Sequence, residues 1–533
     1  EEGITFKDGE VTTPEGFADA YRQFCENGWA SMTGGEDFGG QGFPVSMAAP
    51  FQEMMMSVNL SFRVYTGLTD GAVFALNMHG TDELKTTYLP KMISGEWTGT
   101  MCLTEPHAGT DLALLRTKAE PQADGSYAIS GTKIFISGGE QDFTDNIVHL
   151  VLARLPDAPA GVKGISLFLV PKMLEDGSRN GVACGSVEHK MGIKAAATCV
   201  MNFDGAKGWL IGTENRGLAC MFTMMNDARF QVGLQGLGVA EMAYQGAVEY
   251  AIDRLQSRSL TGPKAPEKPA DPIIVHPDVR RMLLTQKTLV EGCRILAYEA
   301  AQYLDMEQHH PDAEEREKAA VRAALLIPVV KSFLTDMSAE AANIGMQVYG
   351  GHGFIREWGM EQLVRDGRIT QIYEGTNGIQ ALDLMRRKVM GDQGAELSRL
   401  QDEIDALCEA NDLHESLREQ VAALTSANAH WRKLAQDIIQ RAADNPEEIG
   451  ACATDFLNFS SYVLLAYGWL RMALTAQKKL DDGSGDSAFY EAKLASSRFY
   501  FERILPRAEL HRQVLQSSAD NLFGLTAEQF VRQ

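Results

Sequence analysis

The spacing of apolar residues changes twice along the chain, and this change restricts the fold more than any other feature. Up to about Trp97, apolar residues recur at helical spacing, as at Phe17 and Tyr21. Near Gly99 the spacing becomes that of strands, and from Gly217 it is helical again. The pattern therefore predicts a mostly helical protein with a central β-barrel-like domain.

The length of the chain predicts several domains, because 533 residues exceed a single ordinary hydrophobic core. We place four: an N-terminal helical domain at 1–97, a middle β-domain at 98–213, a helical bundle at 214–392, and an additional helical domain at 393–533. The bundle includes two long helices, about Val279 to Glu307 and Ala313 to Val348. Before them, the five prolines of Ser259 to Pro277 predict a non-helical excursion.

Composition restricts the partners. A net charge of -22 argues against a nucleic-acid partner, because phosphate contacts need a basic surface. Helix N-termini and backbone amides can still bind an anionic cofactor. The eight cysteines are scattered without a C-x-x-C pair, which predicts reduced thiols in a cytosolic compartment and neither a disulfide framework nor a zinc site. No apolar run reaches the ~18 residues of a membrane span, so no transmembrane segment is expected.

Glu374 is the carboxylate with the most distinctive setting. It lies between Tyr373 and Gly375, immediately before a segment with helical spacing. Upstream, residues 349 to 353 (YGGHG) form a loop with little side-chain bulk, which suits close backbone approach by a ligand. An isolated Glu-Gly-Thr is more often a helix-entry loop with a solvated carboxylate. The length and order of the whole stretch from Gln347 to Gln380 favour a functional site.

At these residues the chain resembles the acyl-CoA dehydrogenase family, and the resemblance extends from about Glu15 to Val389. The motifs that match are Gln347-x-x-Gly350-Gly351-x-Gly353, Arg365-Asp366, Ile372 to Thr376, the Leu103 to Asp111 loop (LTEPHAGTD), Lys133 to Gly139, Asn226 to Arg229, and Tyr250 to Arg254. The added C-terminal block is typical of large members that act on fatty acyl-CoA or 3-methylmercaptopropionyl-CoA.

The resemblance implies FAD-dependent α,β-dehydrogenation of an acyl-CoA in fatty acid β-oxidation. Glu374 would be the catalytic base, and an electron-transfer flavoprotein would accept the electrons from a homodimer or homotetramer. The implied cofactor-binding residues are Met101, Leu103, Thr104, Thr110, Phe135, Ser137, Arg254, Gln256, Gln347, Gly350, Gly351, Thr376 and Asn377, with Arg254 reaching the flavin pyrophosphate across a subunit interface. The implied substrate-binding residues are Thr110, Asn226, Arg229, Tyr373 and Gly375.

Several positions depart from the family pattern. Phe135 stands where relatives usually stack a Trp on the flavin, and Phe lacks the indole N–H. Asn226 replaces the first Asp of D-x-x-R, while Arg229 is kept. Gln256 stands where Phe-Gly usually follows the Y-A-x-x-R motif.

Alternatives stay open at this point. Glu105 is a rival carboxylate, although it lies in the bend expected to bind flavin, and His107 and His352 are adjacent to binding loops. An acyl-CoA oxidase using O₂ is a second enzymatic hypothesis, and a DNA-associated flavoprotein on the same fold is a third. The C-terminal block is most simply a helical domain closing a subunit interface, with a membrane-surface role as the alternative.

Overall fold

The computed structural model describes residues 1–410 and 414–531, which form two compact units. The first unit is Glu1–Gln231 and the second is Val232–Gln533. The predicted fold class, mostly helical with a central β-domain, is confirmed.

The first unit begins with a short hairpin and four helices. Their bounds are β1 Thr5–Lys7, β2 Glu10–Thr12, α1 Phe17–Glu26, α2 Val45–Val58, α3 Leu60–His79 and α4 Asp82–Ser94. The sequence pattern predicts that α2 begins near Pro50, and this is wrong. The Pro44 carbonyl accepts hydrogen bonds from the amides of Met47 and Ala48, so the helix starts one turn earlier and includes Pro50.

The central sheet has seven strands. Their bounds are β3 Trp97–Cys102, β4 Lys118–Pro121, β5 Tyr127–Ser137, β6 Asn146–Ala153, β7 Ser166–Pro171, β8 Val182–Val187 and β9 Thr198–Ile211. The order is β3-β6-β7-β9-β5-β4, with β8 paired to β9; β3 and β6 are parallel and the other pairs antiparallel. The register of β5 against β9 shifts between Lys133 and Ile136. This bulge re-aims the side chains at its centre.

The core of the first unit lies between the sheet and the helices. Leu76 of α3 and Met92 of α4 are buried together with Val148 and Leu167 of the sheet. Met224 from the next helix belongs to the same cluster. Apolar strands and helix faces bury one another here, so the strand ends that carry the candidate site rest on a rigid base.

The second unit is helical. Helix α5, Gly217–Asp253, begins in the first unit and continues into the second. The helices that follow are α6 Pro277–His309, α7 Ala313–Tyr349, α8 Met360–Arg368, α9 Asn377–Asp383, α10 Ala395–Cys408, α11 Arg418–Asp444, α12 Glu447–Asp481, α13 Ser487–Phe499 and α14 Ala508–Val514. The two long helices predicted from the sequence agree with α6 and α7 to within two residues at each end.

The additional C-terminal helices pack on the bundle of the same unit. Trp469 of α12 is fully buried and donates its indole N–H to the Thr288 carbonyl on α6 over 3.0 Å. Arg322 of α7 is also buried and pairs with Glu396 and Glu403 of α10. Helix α12 is long and apolar enough to cross a membrane, but 67% of its most apolar 18-residue segment is buried inside the protein. It is therefore a core helix of this unit.

The proline-rich excursion is folded around the carboxylate of Asp271, which is fully buried. The carboxylate accepts hydrogen bonds from the amides of Ser259, Lys264 and Ala265 at 2.8–2.9 Å and from Arg258 at 3.1 Å. Burial opposes the charge, but these four hydrogen bonds outweigh it and hold the pKa of Asp271 well below its usual range. The excursion is therefore an ordered loop with its own polar centre.

Candidate functional site

The loop that follows β3 is held in place by the carboxylate of Glu105. This carboxylate accepts hydrogen bonds from the Arg116 amide at 2.7 Å and from the Thr117 amide and hydroxyl at 3.0 and 2.6 Å. The fully buried Lys133 ammonium donates to Glu105 at 2.8 Å and to the Leu103 carbonyl at 3.0 Å. Glu105 is thus a structural anchor of the loop, and its oxygens are already engaged.

The charge state of Glu105 agrees with this role. Burial alone would raise its pKa, but the attraction of Lys133 and the hydrogen bonds from Thr117 and Arg116 outweigh burial and lower it. The carboxylate is therefore ionised at neutral pH. A general base needs a pKa close to the working pH, so Glu105 is a poor candidate for that task.

Phe135 is displayed at the surface of the sheet by the bulge in β5. Its φ is +58°, a left-handed conformation that is uncommon for an aromatic residue, and its side chain is 59% exposed. The neighbouring Ile134 amide donates to the Thr104 carbonyl at 2.8 Å, which ties the bulge to the loop after β3. Unfavourable backbone geometry that exposes a large ring is a common property of ligand sites.

The other predicted residues of the first unit lie on the loop after β3, on β5 or on α5, except Met101, which lies half-buried on β3 itself. Thr110 is exposed, Thr104 and Ser137 are half-buried, and Leu103 is buried. On α5, Asn226 is exposed whereas Arg229 is buried. The structure therefore brings Leu103, Thr104 and Phe135 together, and it gives Asn226 and Arg229 different exposures although they are one turn apart.

A buried charged cluster lies next to Asn226. Arg63 of α3 pairs with Asp70 at 2.8 Å and donates to the Gln231 side chain at 3.2 Å. The nearby Asp227 carboxyl has one oxygen, Oδ2, that is inaccessible to solvent and has no hydrogen-bond partner among the described residues. Burial and the neighbouring Asp70 charge raise the pKa of Asp227 to about 7.

In the second unit, the segment that contains Glu374 has an unusual backbone. Glu374 has a φ of +57° and Gly375 a φ of +84°, so two successive residues are left-handed. A residue with a Cβ pays a steric penalty in this region, whereas glycine does not. The Glu374 side chain is half-buried. Thr376 then caps α9 by accepting a hydrogen bond from the Ile379 amide.

Two buried side chains hold the carbonyls of this segment. Gln380 donates to the Glu374 carbonyl at 3.0 Å, and the ammonium of Lys331 on α7 donates to the Gly375 carbonyl at 2.8 Å. Lys331 also donates to the Asn377 side-chain oxygen at 2.8 Å. The Asn377 amide nitrogen in turn donates to groups on α7, including the Asp336 carboxylate at 2.7 Å. The Asn377 side chain, which the resemblance assigns to the cofactor, is hydrogen-bonded to α7 in this structure.

Tyr373 is fixed by α5. Its hydroxyl donates to the side-chain oxygen of Gln235, which is buried. Burial and the neighbouring Glu374 charge raise the pKa of Tyr373 well above its ordinary value, so the phenol is neutral. The side chains on either side of Glu374 and Gly375 are therefore anchored to the two long helices α5 and α7.

The glycine loop after α7 is open at its tip. Cβ atoms added to Gly350 and Gly351 would meet nothing within 4 Å. Tyr349 stacks on Tyr250 of α5 with ring centroids 4.2 Å apart, and the Tyr250 hydroxyl hydrogen-bonds to His352 at 2.9 Å. This stacking brings the end of α5, which is followed by the exposed Arg254 and Gln256, next to the end of α7, where Gln347 lies on the helix and Gly350 and Gly351 lie on the loop.

The glycine loop and the Glu374 segment contact different parts of helix α7 and so lie far apart in space. The Glu374 segment is bound to α7 at Lys331, whereas Gln347 lies sixteen residues further along the same helix. At a rise of 1.5 Å per residue, Lys331 and Gln347 are about 24 Å apart along the helix axis. The structure therefore places the predicted nucleotide-binding residues of the second unit in two groups.

Each unit, taken by itself, presents residues that suit one part of a flavin dinucleotide. An exposed aromatic ring on a rigid bulge suits stacking on an isoalloxazine ring. The glycine loop leaves space for close backbone approach to a phosphate, and Arg254 is an exposed cation beside it.

The sequence patterns assigned no role to Lys133, although it begins a matching motif, and did not mark Lys331; these two lysines position the two candidate segments. Each is a single cation within an otherwise apolar stretch: Lys133 in β5, and Lys331 in the α7 run LLIPVVKSFL. A buried lysine requires a charged or polar partner. That requirement is the signal by which both could have been found.

Four family profiles match the chain. They are described as the N-terminal domain (7–96), middle domain (100–206) and C-terminal domain (215–389) of acyl-CoA dehydrogenase, and as "Acetyl-CoA dehydrogenase C-terminal like" (400–526).

Curated relatives match over nearly the whole chain. The 3-methylmercaptopropionyl-CoA dehydrogenase of Ruegeria pomeroyi is 44% identical over 98% of this chain and 89% of its own. The broad-specificity linear acyl-CoA dehydrogenase FadE5 of Mycobacterium tuberculosis is 35% identical, with the same coverage. The crystal structure of an acyl-CoA dehydrogenase from Bacillus anthracis complexed with FAD has a similar fold, with a TM-score of 0.78 at 22% identity over 94% of this chain and 82% of that one.

Proposed function

The chain belongs to the acyl-CoA dehydrogenase family, and from that premise we propose that Glu374 removes the α-proton of an acyl-CoA thioester to give the trans-2-enoyl-CoA. The enzyme class and the FAD cofactor follow from the family. The observation that carries the assignment of the base is the anchored, left-handed Glu374-Gly375 segment, which carries the half-buried Glu374 side chain.

The residues around Glu374 have distinct tasks in this proposal. The Glu374 carboxylate takes the α-proton, and its backbone N–H stabilises the negative charge that develops on the thioester oxygen. Tyr373 and Gly375 line the thioester. Because Gln235 and Lys331 hold this segment from behind, the carboxylate needs little reorganisation before reaction.

The chemistry that bound FAD would supply is acceptance of the β-hydrogen as a hydride. We assign its flavin end to the Leu103, Thr104 and Phe135 surface and its phosphate end to Arg254 and the Gly350-Gly351 loop. The separation of about 24 Å between the two parts of the second unit supports a homodimer in which Arg254 serves the cofactor of the neighbouring subunit.

The electron acceptor proposed is an electron-transfer flavoprotein in the cytoplasm. An oxidase that uses O₂ is the alternative, and peroxide formation in air distinguishes the two. For the substrate we propose 3-methylmercaptopropionyl-CoA or a straight-chain fatty acyl-CoA, on the basis of the relatives.

Anaerobic titration of the FAD-loaded protein with a panel of acyl-CoAs tests this function. The panel contains 3-methylmercaptopropionyl-CoA and saturated straight-chain acyl-CoAs of increasing length, and the readout is loss of the oxidised flavin band. Bleaching with stoichiometric formation of enoyl-CoA is expected for at least one member. A panel that leaves the band unchanged while the same flavin is reduced by dithionite would contradict the proposal.

A further inference from the structure

The ammonium of Lys331 is a buried cation in direct contact with the backbone next to Glu374. Lys331 is fully buried in the middle of α7, and its Nζ lies 2.8 Å from both the Gly375 carbonyl oxygen and the Asn377 Oδ1. A buried ammonium group is retained only where polar partners compensate for its lost hydration. Here the Gly375–Thr376 peptide, one residue away from the carboxylate, is such a partner.

We propose that Lys331 is a positioning residue for catalysis: with Gln380 it locks the left-handed Glu374-Gly375 turn and so sets the direction of the Glu374 carboxylate. This inference rests on the proposed role of Glu374 as the base. The two side chains bind successive carbonyls, Gln380 that of Glu374 at 3.0 Å and Lys331 that of Gly375 at 2.8 Å. Fixing both carbonyls fixes the intervening peptide planes.

The backbone needs such support because Glu374 has a φ of +57°, where its Cβ is crowded. The next residue is a glycine at +84°, and a Cβ there would lie 2.7 Å from the Gln380 Nε2. Without the ammonium, the 375–376 peptide could rotate and carry the carboxylate with it. A misplacement of about 1 Å at a reacting group can cost about a hundredfold in rate.

Asn377 connects the start of α9 to the same part of α7. Its side chain accepts from Lys331 and donates to the Ser332 carbonyl at 3.1 Å and the Thr335 hydroxyl at 2.9 Å. Lys331 therefore holds the peptide after Gly375 directly and the start of α9 through Asn377.

The test is anaerobic stopped-flow reduction of FAD-loaded Lys331→Met by an acyl-CoA that reduces the wild type. Methionine fills similar space without charge or donor. The expected result is a limiting reduction rate lowered roughly 30- to 300-fold, with the acyl-CoA dissociation constant changed less than threefold. Lys331→Arg, which keeps a cation and N–H donors, should recover at least tenfold of the lost rate.

The matched control is Arg322→Met, which removes another buried cation from α7 whose partners are Glu396 and Glu403. It should lower the melting temperature but keep the limiting reduction rate within threefold. If Lys331→Met does not accumulate in folded form, Gln380→Met tests the other carbonyl contact, and its limiting rate should fall at least tenfold.

A second readout isolates the proton step. A 3-thia-acyl-CoA carries sulfur at the β position, so it can lose its α-proton but has no β-hydrogen to transfer as hydride. Its enolate over oxidised flavin gives a long-wavelength absorption band, and this band should be weaker in Lys331→Met than in Arg322→Met.

Wild-type reduction rates in folded, FAD-loaded Lys331→Met or Gln380→Met would overturn the inference. Glu374→Gln is measured in parallel to separate the two claims. If Glu374→Gln is inert and Lys331→Met reacts normally, only the role of Lys331 fails. If Glu374→Gln is reduced at the wild-type rate, the base has been misassigned and the proposed function itself fails in this respect.

Discussion

Replacing Asp227 by asparagine should stabilise the first unit at alkaline pH, although the change removes a charge from a polar cluster. The Asp227 pKa is raised to about 7 by burial and by the nearby Asp70, whose own pKa is raised by burial. The folded protein therefore binds more protons than the unfolded chain between about pH 4 and 7. The contribution of Asp227 to stability must therefore fall as the pH rises through this range.

The size of the effect on stability follows from the difference between the ordinary pKa of Asp227 and its pKa in the folded protein. The ordinary value is 3.8 and the folded value about 7. At 1.36 kcal/mol for each pKa unit, ionisation of Asp227 costs at most about 4 kcal/mol above pH 7 and nothing below pH 4. For a unit of this size, each kcal/mol shifts the melting temperature by about 2–4 °C. Asp227→Asn should therefore melt several degrees above the wild type at pH 8 and at about the same temperature at pH 4.5.

Calorimetry of the wild type and the variants at pH 4.5, 6 and 8 measures the effect. Hydrogen exchange of α3 identifies the transition that belongs to the first unit. Asp70→Asn is the informative control, because it removes the neighbouring negative charge and leaves Arg63 to pair with Asp227, so it should also flatten the dependence on pH. Wild type and Asp227→Asn that melt together at every pH would refute the reasoning.

Three further predictions concern other anchors. Glu105→Gln leaves the buried Lys133 ammonium without a countercharge, so it should lower the free energy of unfolding by about 3–5 kcal/mol and weaken FAD binding. Melting temperature and flavin titration measure the two effects. Adding Lys133→Met should restore part of the stability. Phe135→Ala should weaken FAD binding by about five- to fiftyfold without changing the melting temperature of the FAD-free protein, because the ring is largely exposed; unchanged affinity would remove the stacking role. Because the pKa of Asp271 is lowered, its stabilising contribution is present above pH ~4 and is lost only as the pH falls well below that value. Hydrogen exchange of residues 256–272 should therefore stay slow at pH 4.5 in the wild type and become fast in Asp271→Asn even at pH 7. Equal protection of the two proteins would contradict this.

Long elements with a clear period could be predicted from the sequence. Helices α6 and α7 agree closely with the predicted segments, because each is long and buries a continuous apolar face. The predicted start of α2 was wrong. Pro44 and Pro50 lie six residues apart, and it is the Pro44 carbonyl that accepts the first hydrogen bonds of the helix. Local pattern could not decide between the two prolines.

The candidate site could be predicted as a set of motifs but not as a geometry. Motif order marked Glu374, Phe135 and the glycine loop, and these remain assignments to test. The supports of those motifs depend on contacts between distant residues, such as Lys331 with Gly375 or Lys133 with Leu103, which no local spacing contains. The hydrogen bonds of Asn377 to α7 are a further example, because its motif indicates a cofactor contact and contains no sign of these bonds.

Single-turnover reduction of FAD-loaded Glu374→Gln by an acyl-CoA that bleaches the wild type tests the central claim most directly. Glutamine keeps the shape of the side chain but cannot accept the α-proton. The variant should bind FAD and the acyl-CoA with affinities close to those of the wild type, and its flavin band should persist at least a thousandfold longer. Bleaching at the wild-type rate would contradict the assignment of Glu374 as the base.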